Sequence, residues 1–207
     1  MSYLTTHLGE IGTLTLQHVA LVFSALAIAL AIALPLGIAA ARWRRFSSAI
    51  LALLGILYAI PSLALLAVLV RYIGLGAAPV VIVLAIYAQF ILVRNIAAAL
   101  AGVSPAQIDA AVGVGMSSRQ RLWRVELPLA FPVILGGVRL ATVALIAIAT
   151  LGGYVGAGGL GADIFFGLQR RYVEQTLAGS IPAALLAIAA DALFRALERL
   201  AVRRTTG

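Results

Sequence analysis

Cysteine and lysine are both absent from this 207-residue chain, and histidine occurs only as His7 and His18. Without cysteine there can be no disulfide, no thiol nucleophile and no thiolate metal site, and two imidazoles are too few for a histidine cluster. Without lysine the phosphate-cradling G-x-x-x-x-G-K-[ST] loop cannot be built, so the chain cannot hydrolyse ATP by that route. Charge of any sign is scarce. Charged residues make up 11% of the chain, where a soluble domain carries about 25%. The few carboxylates form no cluster and no nucleophile–base pair is visible, so neither a catalytic nor a metal or cofactor site is expected. Residues 1–18 hold no lysine or arginine, so a signal peptide's basic n-region is missing and no cleavage is expected.

What the chain does have is apolar length. Hydrophobic residues make up 63% and the mean hydropathy is +1.11, which marks an integral membrane protein. Five runs, at about 19–41, 49–70, 79–101, 131–151 and 176–197, can each cross a hydrocarbon core of roughly 30 Å. We expect an all-α membrane protein forming one transmembrane domain over residues 1–207. Pro35 and Gly37 should kink the first span. Pro61-Ser62 should free a carbonyl in the middle of the second, and Pro182 should interrupt the last. The third span should run on past Arg94 and stop at Gly102.

The net charge of +8 would suit nucleic acid or an acidic partner, but the arginine positions favour the positive-inside rule. If the polar loop at 104–128 is cytoplasmic, eleven arginines lie on its side (42, 44, 45, 94, 119, 121, 124, 195, 199, 203 and 204) and three (71, 170 and 171) lie opposite. That distribution puts the N-terminus outside and the C-terminus in the cytoplasm, with membrane lipid and not nucleic acid as the surrounding partner.

The loop itself, SPAQIDAAVGVGMSSRQRLWRVELP from Ser104 to Pro128, is the longest polar interruption. Ser104, Pro105 and Gln107 make an N-cap, a proline at the first helical position and a capping-box partner. Ser117 and Gln120 repeat the box. Gly113 and Gly115 between them allow a sharp turn or the close approach of another surface. Two short helices joined at a glycine elbow, and closed by Leu127-Pro128, are expected.

Other features carry two readings each. Gly156–Gly161 satisfies G-x-G-x-x-G, but a membrane helix precedes it and no acid follows at the right distance, so an external elbow explains it better than a dinucleotide. Arg139 inside an apolar run is either functional or a snorkelling side chain near the cytoplasmic end, and its nearness to Leu127-Pro128 favours the second. Asp191, Arg195, Glu198 and Arg199 form a helical ladder of charges; alternatively Asp191 neutralises Arg139 across the bundle. Tyr58, Pro61, Ser62, Tyr87, Gln89, Thr142 and Thr150 lie at membrane depth. They either join helices or line a path, with Tyr58 and Ser62 on one face and Tyr87 suited to a cation.

Asp109-Ala110-Ala111, then Gly115, then Val125-x-Leu127-Pro128 resembles the EAA signature of ABC-importer permeases, with Asp for Glu and Val for Ile. Gln17-His18, Pro35-Leu36-Gly37, Ile60 to Leu66 (IPSLALL), Val93-Arg94-Asn95, Glu126 to Ala130 (ELPLA), GAGGLG at 156–161 and Ala178-Gly179-x-Ile181-Pro182-Ala183 are similar to osmoprotectant (glycine betaine, choline, carnitine) permeases. The resemblance implies a type I ABC-importer permease fold that pairs with an identical or paralogous permease. ATP and magnesium would be used by separate ATPase subunits, and an extracytoplasmic binding protein would deliver the solute at a bacterial or archaeal cell membrane. It implies that Ser104, Pro105, Asp109, Ala110, Ala111, Gly115, Ser117, Arg121, Leu127 and Pro128 couple to the ATPase. A methionine or other amino-acid importer is the second reading.

Overall fold

The computed structural model describes residues 2–205, and every regular element among them is helical. A short α1 (Ser2–Thr6) leads into α2 (Leu8–Arg42), followed by α3 (Arg44–Ala59), α4 (Ser62–Ile73) and α5 (Ala77–Ala101). The loop contributes α6 (Pro105–Gly113) and α7 (Ser118–Arg121); then come α8 (Leu127–Ala149), α9 (Gly161–Gln169) and α10 (Val173–Thr205). A π-helical turn, Leu122–Glu126, joins α7 to α8, and a 3₁₀ turn, Thr150–Val155, follows α8.

Four helical stretches are long and apolar enough to cross a membrane, and α3–α4 form a fifth if the bent pair counts as one span. Internal contacts decide that it does. Arg42, at the end of α2, pairs with Glu126 beside the loop, so α2 and α5 both end on the loop face. Gly76, just before α5, donates its N–H to the Val155 carbonyl at the far end of α8. The chain between Arg42 and Gly76 therefore travels from one face to the other.

The break in that fifth crossing is sharper than a kink, at 85°. Ile60, held extended (ψ 130°) by the following proline ring, and Pro61 (ψ 128°) together leave the helical region. Tyr58 and Ser62 therefore sit on different helices, and the shared face expected for them does not form. At Pro35 and Pro182, by contrast, α2 and α10 stay helical throughout, so the expected interruption at Pro182 is absent.

The core lies where α2, α5 and α8 meet. Gly37 lets α2 close on α5, since a Cβ there would stand 2.5 Å from Ile96 Cγ2. Gly137 does the same for α8 against Asn95 of α5. Leu84, Leu92, Ile96 and Leu145 are almost wholly buried in the resulting seam. The 35 residues of α2 span about 50 Å at 1.5 Å per residue. This exceeds the bilayer core, so the helix reaches both faces.

Candidate functional site: an exposed projection on the loop face

Helix α6 starts on Pro105, whose missing N–H would be unpaired in any first turn. The capping box expected at Ser104 is not there. Its side chain makes no cap, because the Gln107 N–H that it would serve is taken by the Ser104 carbonyl at 3.0 Å. The box at Ser117 is complete: Gln120 N–H donates to Ser117 Oγ at 3.3 Å, and Ser117 N–H donates to Gln120 Oε1 at 2.9 Å.

The elbow between α6 and α7 is a glycine-terminated helix end. Met116 N–H reaches the Ala111 carbonyl (3.1 Å) and Gly115 N–H reaches that of Val112 (2.9 Å), with Gly115 at φ +80°. This left-handed position is why a glycine stands there. A Cβ on Gly115 or Gly113 would meet nothing within 4 Å, so the chain itself leaves open space around both.

Past the elbow, the expected stop at Leu127-Pro128 does not occur. One continuous helical body runs from Ser118 to Val155. The π turn explains how: Leu127 N–H bonds to the Leu122 carbonyl, five residues back, and this wider turn relieves the clash that the Pro128 ring would otherwise make. The projection is thus a stiff extension of α8.

Its surface is unusual for a helix end. Asp109, Ala110, Ser117 and Pro128 are exposed, as are the apolar Val112, Val114 (74% exposed) and Trp123 (62%). Ala111 turns inward and is buried, while Leu127 packs against the core. Arg121 folds back onto Glu126 at 2.7 Å, and Glu126 also meets Arg42 at 3.0 Å. Glu126 is 5% exposed, a buried carboxylate that carried no site expectation in the sequence.

The polar residues at membrane depth separate into two groups. Tyr87, Gln89 and Thr142 are buried inside the subunit: Tyr87 Oη donates to the Ile60 carbonyl freed at the break, and Gln89 Nε2 donates to Ala29 O at 3.1 Å. Thr142 Oγ1 donates to Val138 O at 2.8 Å within its own helix. Tyr58 is partly exposed, its ring 5.5 Å from Tyr87 and 5.2 Å from Phe90, next to exposed Pro61 and half-buried Ser62. Arg139 does not merely snorkel. It pairs with Asp191 at 3.2 Å and Glu198 at 2.8 Å, joining α8 to α10, while Asp191 also holds Arg195 at 2.7 Å.

The opposite face is closed by the glycine elbow at 156–161. Gly156, Gly158 and Gly159 all have φ between +71° and +75°, which suits a tight turn and leaves no strand for a nucleotide. Gly159 N–H donates to Gln17 Oε1 (3.0 Å), and the buried His18 ring bonds through Nε2 to the Ile146 carbonyl (3.0 Å). Tyr3 caps the same face, with its hydroxyl 3.4 Å from Asp163 Oδ1. Burial first, then the Asp163 and Glu10 charges, push that phenol above its ordinary range. Among the described residues no group of three or more His, Asp or Glu could hold a metal ion.

A loop of this shape on a five-crossing helical bundle has relatives. Residues 33–206 match the family model for the binding-protein-dependent transport system inner membrane component. The chain belongs to that family. The permease is 34% identical over 199 residues to the glycine betaine/carnitine/choline transport system permease protein OpuCB of Bacillus subtilis, covering 96% of this chain and 92% of that one. It is 34% identical over 201 residues to the osmoprotectant import permease protein OsmW of Salmonella typhimurium (95% and 94% covered). Among solved structures, a chain of the MetNI methionine ABC transporter in an inward-facing conformation superposes with a TM-score of 0.80 at 21% identity, covering 89% of this permease and 93% of that chain. At that identity the likeness establishes the type I ABC-importer permease fold.

Proposed function

We propose that this permease forms, with a second permease, the path of an ATP-driven importer for quaternary-amine osmoprotectants such as glycine betaine, choline or carnitine. The observation that carries the reading is near-full-length similarity to permeases named for these solutes, together with an exposed loop whose first helix ends at a left-handed glycine. The methionine reading has only a likeness of fold behind it.

In this account the loop face is cytoplasmic, the N-terminus is outside and the tail is inside. Ser104, Pro105, Asp109, Ala110, Ala111, Gly115, Ser117, Arg121, Leu127 and Pro128 build the knob that an ATPase subunit grips. Val112, Val114 and Trp123 supply its apolar contact area, and open space around Gly113 and Gly115 supports close approach by the ATPase. ATP and magnesium act on that subunit, and a binding protein delivers solute on the face of the glycine elbow. The permease contributes no catalysis; ATPase closure moves the knob, and α8 moves with it. Tyr58, Pro61 and Ser62 face the path directly, where a π-face attracts a quaternary ammonium. Tyr87 holds that wall from behind through its bond to the Ile60 carbonyl, while Gln89 joins α5 to α2 and Thr142 bonds within α8.

The test is uptake of labelled betaine, choline and carnitine by liposomes holding the permease with its ATPase and binding protein. ATP-dependent uptake of at least one is expected. Uptake of methionine alone would favour the second reading, and transport by the permease without ATPase would refute both.

A further inference from the structure

Glu126 is the last residue of the π turn, and its neighbours show what that turn is for. In an α-helix residues five apart lie about 140° around the axis, so Arg121 and Glu126 would face away from each other. In the π turn residues five apart are stacked, and the pair closes at 2.7 Å. The carboxylate's second partner, Arg42 at 3.0 Å, is the last residue of α2 and lies outside the α7–α8 body.

Helix α2 is the strut that reaches the other face, where Gln17 and His18 bond to Gly159 and to the Ile146 carbonyl. A buried ion pair adds little stability over apolar packing, because desolvation offsets its attraction. What it provides is a directional tie between two helices. We propose that Glu126 is a positioning residue that ties α2 to the coupling projection, so that displacement of the projection reaches α2 as well as α8. The assignment rests on the functional reading above, in which that projection receives the ATPase's movement.

The test uses the complete complex of permease, ATPase and binding protein in liposomes, and reads solute taken up per ATP hydrolysed. Glu126→Gln and Arg42→Gln should each lower that ratio about tenfold. Complexes should still assemble and ATP hydrolysis should persist. Because the two side chains act through one joint, the double variant should be no worse than the worse single one. An unchanged ratio in both single variants would overturn the assignment, as would losses that multiply in the double variant. Failure of both variants to assemble would also overturn it, since the pair would then be structural cement. A wild-type complex that moves no solute would fail the functional reading itself, and this one with it; normal wild-type uptake beside unaffected variants would fail this one alone.

Discussion

The two faces of the permease are fastened by different means. On the loop face the fasteners are long charged side chains, Arg42, Arg121 and Glu126, set around a π turn. On the opposite face they are glycines against backbone. A Cβ on Gly161 would overlap the Thr150 carbonyl, one on Gly153 would overlap Gly161, and one on Gly179 would stand 2.6 Å from Leu160 O. Backbone packed on backbone has one arrangement and does not slide. Ion pairs between long side chains hold through a small displacement. In the proposed cycle force enters at the loop face, where the joint yields, while the corner at the other end stays fixed.

The sharpest way to break that comparison is Gly161→Val. It should abolish accumulation of folded protein, because the side chain has only backbone to displace, at well over the ~1–3 kcal/mol of ordinary overpacking. Expression and thermal unfolding in detergent would read it. Gly115→Asp should do the reverse. It should stay folded, losing about 1 kcal/mol for a left-handed aspartate, since its Cβ meets open space. Uptake should nevertheless vanish, because the added charge meets the ATPase.

Smaller effects sharpen the picture. Arg139→Leu leaves Asp191 and Glu198 without their shared cation. Some stability and most uptake should go, and full uptake from a stably expressed variant would remove any role for this pair in transport. The smallest contrast is between the two serines. Ser117→Ala should cost about 1 kcal/mol through its lost cap, while Ser104→Ala should cost almost nothing, having no cap to lose. Equal unfolding shifts for both would contradict the observed hydrogen bonds.

Much of this was legible from local chemistry. Proline at the first turn of α6, glycine at the left-handed position 115 and the elbow at 156–161 are each dictated by a residue's own backbone; the carbonyl freed at Pro61 was legible too, but not the 85° break that parts Tyr58 from Ser62. What was not legible involves partners distant in sequence or turns without a residue signature. Nothing in the chain marks Leu122–Glu126 as π-helical, so the continuity of the projection with α8 was invisible. Arg42 and Glu126 are 84 positions apart, and only the packing of α2 beside α8 brings them together. Arg139 was readable as an anomaly, but its second partner Glu198 was not. Ser104 failed as a side-chain cap for a reason visible only in three dimensions, its own carbonyl having already taken the donor.

The central claim is that the knob is gripped by a separate ATPase, and the chain's lack of cysteine makes this directly measurable. Val114, 74% exposed at the elbow, can be replaced by the protein's only thiol, Val114→Cys, and its maleimide labelling followed with and without the ATPase subunit. The account predicts fast labelling of the permease alone and strong protection once the ATPase is bound. Equal labelling in both, in a complex shown to be assembled, would contradict it.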